Sequence, residues 1–202
     1  MPNLSLRERK NAEVKQALFA AAMELFRQNG FERTSVQEIA ERAGYSSATY
    51  FNHFGTKQSV LRHYGQDLQE RMAQSLVEAA PDSSPLERLR EVLFVMAREA
   101  DRRADDLKLI YRHSLSDPDY LARPTPARQR VFEMVSALVV EAQHEGEIRR
   151  DLPGKVIAFH ILSLYNGAVL AVVSGIGGAE DTLRSAWPFI LEGVRGGDSL
   201  AP

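Results

Sequence analysis

The chain of 202 residues contains no cysteine. That excludes a disulfide framework, a thiolate zinc site and a cysteine nucleophile. No secretory leader is legible either: residues 1–17 interleave Arg7, Glu8, Arg9, Lys10, Glu13 and Lys15 with scattered apolar side chains. A strong charge imbalance is also missing. The formal net charge is −2, so a uniformly basic nucleic-acid coat is out, and 44% hydrophobic residues with 26% charged ones rule out intrinsic disorder. The small net charge hides an asymmetry. Residues 1–57 carry 8 Lys/Arg against 6 Asp/Glu, and residues 58–202 carry 17 against 21, a weakly basic head on an acidic body. Alternating strand patterns and internal repeats are absent. So are the signatures of common enzyme sites: the histidines (His53, His63, His113, His144, His160) show no i/i+4 pairing, and Ser174-Gly-Ile-Gly-Gly178 lacks the spacing and the preceding strand of a phosphate loop. No GxSxG elbow occurs. No enzyme activity, metal or cofactor is expected.

What is present is helical periodicity. Val14, Leu18, Ala21, Ala22 and Leu25 form one stripe that stops at Gly30. Ser35-Val-Gln-Glu38 is a capping-box pattern, followed by Val36, Ile39, Ala40 and Ala43 on one face up to Gly44. Ser46 can cap a short third helix, and Thr56 a fourth with Val60, Leu61, Tyr64, Leu68, Met72 and Leu76 inward. Pro81 breaks the chain, and Ser84-Pro85 restarts it for a fifth helix. A shorter helix is expected over about 105–115, stopping at Asp117-Pro118. Others follow the Pro124/Pro126 linker and Pro153, and a last one ends in Gly196-Gly197. Asp101, Asp105, Asp106, Asp117 and Asp119 read as a solvated, turn-forming set. One run, Val156–Ala179, is free of Asp, Glu, Lys and Arg for 24 residues. That is long enough to raise a membrane-spanning helix, but His160, Ser163, Asn166 and Ser174 punctuate it. A helix buried on all sides is the preferred reading.

Three helices in the first 54 residues, the second and third separated only by Gly44-Tyr45-Ser46, describe a helix-turn-helix. No acidic residue lies between Gly44 and Gln66, so nothing in the recognition segment repels phosphate. The pattern Gly30-Phe31-x-x-Thr34-Ser35-Val36-x-x-Ile39-Ala40-x-x-Ala43-Gly44-x-Ser46-x-x-Thr49-x-x-x-His53-Phe54-x-Thr56-Lys57 closely resembles the DNA-binding domain of TetR-family transcriptional regulators. The resemblance covers about residues 10–65. It implies an all-α chain with a helix-turn-helix DNA-binding domain over residues 9–65 (the motif itself about 35–54). A helical effector-binding and dimerisation domain over 66–196 would follow, joined by a long helix. By position, the resemblance puts Thr34 and Ser35 on phosphate and Gln37 near a base. Ser47, Ala48, Thr49 and Asn52 would face the groove edges, His53 with Lys57 would approach the backbone, and Ser46 and Tyr50 count among the DNA-binding positions. Phe51 stands where the family commonly has a phosphate-binding tyrosine, so it should keep a packing role and lose one backbone contact. Beside these roles stand plainer ones: Ser35, Ser46 and Thr56 are helix caps worth about 1 kcal/mol each, and Tyr45, Phe51 and Phe54 are core or hinge packing.

The expectation for the whole is a cytoplasmic homodimeric repressor, released from a double-stranded DNA operator by a small-molecule effector, with no membrane partner. A helical protein-interaction module and a membrane-attached sensor are the alternatives. The effector residues expected are Phe94, Tyr111, His113, Tyr165 and Asn166, although such side chains also make ordinary cores. For the dimer, helix geometry places His160, Ser163, Gly167 and Ala171 within about 40° of one direction. This seam of small residues could be internal. Alternatively it meets a partner together with Trp187, Ile190, Leu191 and Val194 in a four-helix bundle.

Overall fold

A computed structural model gives the arrangement for residues 5–75, 83–114 and 125–195, and among these residues there are nine α-helices and no strand. The chain divides into two compact units, Met1–His63 and Tyr64–Pro202. The side chain of Met72, Leu76, Pro81, Leu115, Asp117, Pro118, Asp119, Pro124 and the Gly196-Gly197 stop lie outside the described residues.

The first unit is built from helices whose ends the sequence fixes chemically. Helix α1 (Leu6–Asn29) begins about two turns before its apolar stripe, because Ser5 and Glu8 close a reciprocal capping box. Its first buried residue is Leu18, so the leading turns stand in solvent. Helix α2 (Val36–Ala43) starts on the Ser35/Glu38 box and ends at Gly44, whose left-handed backbone (φ 78°, ψ 28°) turns the chain into α3 (Ser47–Phe54). The Ser46 hydroxyl accepts the Thr49 amide at 3.2 Å, and that of Thr56 accepts the Ser59 amide at 3.1 Å at the head of α4 (Lys57–Ser75). Leu18, Ala22 and Phe26 of α1 share the core with Ile39 and Ala40 of α2, Tyr50 of α3, and Val60 and Leu61 of α4.

In the second unit α5 (Pro85–Arg102) starts on a Ser84/Glu87 capping box with proline at its first position. It is followed by α6 (Ala104–Ser114), α7 (Pro126–His144), α8 (Gly154–Ser174) and α9 (Ala179–Arg195). Helix α8 is central and packs against α5, α6, α7 and α9. It is nevertheless not buried on all sides. Ile157, Ile161, Tyr165, Ala168 and Val172 face inward, whereas Phe159, Leu164 and Leu170 are 60%, 47% and 51% exposed. The helix has the length and hydropathy to cross a membrane, and only 39% of its most apolar stretch is buried. It lacks charge because its inner face fills the core while its outer face is an apolar surface.

Asp101 corrects another expectation. It is not a solvated turn residue: its carboxylate accepts the backbone N–H groups of Ala179 at 2.6 Å and Glu180 at 3.0 Å, capping the first turn of α9 from the end of α5.

Candidate functional site

In the first unit α3 presents a small, polar, acid-free surface. Ala48 and Asn52 are exposed, Ser47, Thr49 and His53 half-buried, and Gln37 on α2 is exposed with its amide donating to Glu41 at 2.9 Å. Ser46 is exposed, and its hydroxyl also shares a 3.0 Å hydrogen bond with that of Thr49. Since the two side-chain oxygens hold each other, Thr49 presents a fixed hydroxyl. This surface fits what a recognition helix requires: close approach of backbone to a base edge, and donors and acceptors without negative charge.

Four positions differ from the sequence reading. Tyr50 is fully buried and its phenol donates to the Thr56 carbonyl at 3.1 Å, so its ring belongs to the core; burial pushes the phenol pKa well up. The residue that faces outward is Phe51, 53% exposed, touching Tyr50 only edge-on at 5.9 Å between ring centres, so it does not keep the packing role expected. Thr34 is 1% exposed, and its hydroxyl is shared between the carbonyls of Gly30 (2.9 Å) and Leu25 (3.3 Å), which places no side-chain donor at the surface. The Lys57 ammonium, finally, is turned inward onto the loop before α2. It donates to the carbonyls of Phe31 (2.9 Å) and Thr34 (2.8 Å), with Glu32 at 3.4 Å, and stands 4.6 Å from the centre of the Phe31 ring. The hydroxyl of Ser35 is likewise committed, donating to Glu38 at 2.8 Å and accepting its amide at 3.1 Å. The Ser35 backbone N–H, donating to the Glu38 carboxylate at 2.7 Å, and the Ser35 hydroxyl together hold the Glu38 carboxyl below its usual range. Tyr45 is 37% exposed and only Phe54, at 8%, is a true core aromatic of the three read as packing.

The second unit contains a partly open cavity of about 290 Å³, at the small end of ligand pockets. Its wall is mostly apolar, with Leu107 and Ile110 of α6, Phe132 of α7 and Val169 of α8 among its lining. Tyr111, Tyr165 and Asn166 from the expected effector set do line it. Tyr165 donates to the Met96 carbonyl at 3.4 Å, and burial pushes its pKa well up. Phe94 and His113 do not line it. Phe94 packs between α5 and α9, edge-on to Trp187 at 6.1 Å and under the guanidinium groups of Arg90 (5.0 Å) and Arg184 (5.8 Å). His113 is half-buried on α6, away from the lining. Two polar lining residues that the sequence did not single out are Gln69 and Arg128.

Of the positions expected at a dimer contact, His160, Ser163 and Gly167 are exposed and Ala171 half-buried on α8. A Cβ added at Gly167 would meet nothing within 4 Å, so this seam is open rather than closed against its own subunit. Ile190 and Val194 turn the other way, 3% and 6% exposed in their own core. Leu191 and Trp187 are half-buried, the latter in part against Phe94.

Comparison with known proteins follows these two units. The family model described as bacterial regulatory proteins, tetR family, matches residues 18–64, and one described as tetracyclin repressor-like, C-terminal domain, matches residues 82–170. The HTH-type transcriptional repressor AcnR of Corynebacterium efficiens is 24% identical over 169 residues, covering 82% of this chain and 85% of its own length. The repressor DhaR of a Mycobacterium species is 26% identical, covering 78% and 81%. Among solved structures, Thermus thermophilus FadR, a TetR-family transcriptional repressor in complex with lauroyl-CoA, superposes with a TM-score of 0.70. It is 27% identical, covering 93% of this chain and 98% of that one.

Proposed function

The chain belongs to the tetR family of bacterial regulatory proteins, and from that premise we propose that it is a cytoplasmic, dimeric repressor whose second unit releases the first from DNA when a small molecule fills its cavity. The observation that carries this reading is the pairing, in one chain, of an acid-free surface on α3 with a mostly apolar cavity of about 290 Å³ in the second unit. Ala48, Asn52 and Thr49 read base edges, with Gln37, Ser47 and His53 at the margin. Thr34, Tyr50 and Lys57 act from behind, setting the position of the loop and of α3. The effector is a small, largely apolar molecule; FadR, with its lauroyl-CoA, is a relative that holds a ligand of mixed apolar and polar character.

Dimerisation follows from α8. A standard interface buries about 800 Å² on each partner. The exposed Phe159, Leu164 and Leu170, flanking the seam at Ser163 and Gly167, supply an apolar surface suited to a two-fold contact with the same face of a second copy. Two recognition helices held by one particle then meet half-sites about 34–36 Å apart, and an effector acts by favouring a state in which that spacing is lost. The same contact accounts for the uncharged helix without a membrane.

The experiment is selection of bound duplexes from random DNA with the purified protein, repeated across a panel of metabolites. A palindromic consensus, lost in the presence of some panel members, is the expected result. Failure to enrich any sequence at low salt refutes the DNA-binding reading.

A further inference from the structure

We propose that the cavity selects amphipathic monoanions, with an apolar body among its aliphatic and aromatic walls and a carboxylate-sized head held by the guanidinium of Arg128, the amide of Gln69 and the phenol of Tyr111. The inference rests on the effector reading above and specifies the charge of the effector.

The polarity of the wall points this way. Among the described residues neither aspartate nor glutamate lines the cavity, and Arg128 is the one charged residue of that described lining. Among the described residues Arg128 has no carboxylate partner. Several other arginines of this acidic unit are paired with carboxylates: Arg88 with Glu141, Arg98 with Glu91, Arg149 with Asp151, and Arg130, two residues along the same helix, with Glu70. No described carboxylate neutralises this guanidinium beside a mostly apolar cavity, and a planar bidentate carboxylate is the anion its fork geometry suits best.

A short relay fixes the second donor. The backbone N–H of Arg128 donates to the Thr125 hydroxyl at 3.2 Å, and that hydroxyl donates to Oε1 of Gln69 at 2.7 Å. With its oxygen occupied, Gln69 offers the cavity its NH₂ group, which has no acceptor among the described residues. Tyr111 is the third. Burial raises the pKa of its phenol, which keeps the proton on and makes it a donor, while the Arg128 charge pulls the other way and marks the two groups as electrostatic neighbours. Three donor groups without an acidic residue form a site for an anion. A cationic head finds only repulsion there, and a neutral one gives up the charge-assisted bond.

The test uses the full chain and three probes with the same alkyl tail: decanoate, decanol and decyltrimethylammonium, titrated calorimetrically. Decanoate should bind at least about tenfold more tightly than decanol, and the cation most weakly. Arg128→Gln should bring decanoate down to the level of decanol and leave decanol unchanged, and Arg128→Lys should keep part of the preference. The Thr125 cap uses only the backbone of residue 128, so the variants should melt with the unsubstituted protein, which separates loss of the head contact from loss of fold. Equal binding of all three probes, or an acid preference that survives Arg128→Gln, overturns the charge assignment and leaves the effector reading standing. Binding of none of them to the unsubstituted protein overturns both.

Discussion

Replacing Asp101 by alanine removes the two acceptors that hold the first turn of α9, at 2.6 Å from Ala179 N and 3.0 Å from Glu180 N. Hydrogen bonds to a charged acceptor contribute about 1.5–3 kcal/mol each, and removing a helix N-cap costs about 0.5–2 kcal/mol. Both bonds serve one helix end and water can partly replace them at a half-buried site, so their losses do not add in full. A destabilisation of about 2–3 kcal/mol is expected, which for a chain of this size lowers the melting temperature by roughly 4–12 °C. Asp101→Asn separates charge from geometry. It keeps one oxygen and loses the interaction of a full negative charge with the positive end of α9, so about half of the loss should remain. Thermal unfolding followed by circular dichroism, with calorimetry for the enthalpy, provides the measurement. A change below 1 °C in the alanine variant would refute the claim that this carboxylate ties α5 to α9. An asparagine variant as damaged as alanine would show that shape rather than charge is what the helix end needs.

Thr49→Ala and Asn52→Ala should each alter which operator sequences are preferred, by about 1–3 kcal/mol per base contact, read by binding to a library of single-base variants; unchanged preference with weaker overall affinity would move these residues off the bases. Lys57→Met should lower the stability of the first unit by roughly 1–3 kcal/mol, since its ammonium holds three carbonyls, and leave the salt dependence of DNA binding unaltered. A salt slope reduced by about 1 would instead place that charge on a phosphate. Gly167→Leu, at a position open in the single chain, should keep its helicity yet convert dimer to monomer in sedimentation and weaken operator binding; a dimer that persists at micromolar concentration would remove the seam from the interface.

Helix starts were the most legible part of the sequence, because a serine or threonine followed three residues later by an acid is a local device that works without tertiary help. Ser35/Glu38 is readable, and so is Ser5/Glu8, although α1 spends its first turns in solvent and carries no apolar stripe there. Within α3 the helical spacing could have decided between neighbours: Tyr50 and Phe54 are four apart and share the buried side, leaving Phe51 outside. Ile190 and Val194 similarly share with Leu183 the stripe that α9 needs for its own core, which makes these two unsuited to a partner surface. The Lys57 bracket and the donors at the cavity could not be read this way. Each is made by groups distant in sequence, a side chain and backbone carbonyls 23 to 26 residues apart for Lys57 and two side chains 56 apart for Thr125 with Gln69, and no local period records such meetings. Arg128 in particular reads as any surface arginine, and only in three dimensions is it visible that no described carboxylate pairs with it.

Helix α4 runs unbroken from Lys57 to Ser75 across the division between His63 and Tyr64, and this bears on how the protein can be taken apart. A cut at that division would strand up to four carbonyls on one side and four amides on the other, all of them paired in the intact helix. Proteases need several residues of unwound backbone, and the division offers none. Digestion should therefore spare it, and a recombinant head stopped at residue 63 should fray at its new end and melt below the head within the whole chain. Dissecting this regulator calls for a terminus carried several turns further along α4, so that the last helical turn is lost where it supports nothing.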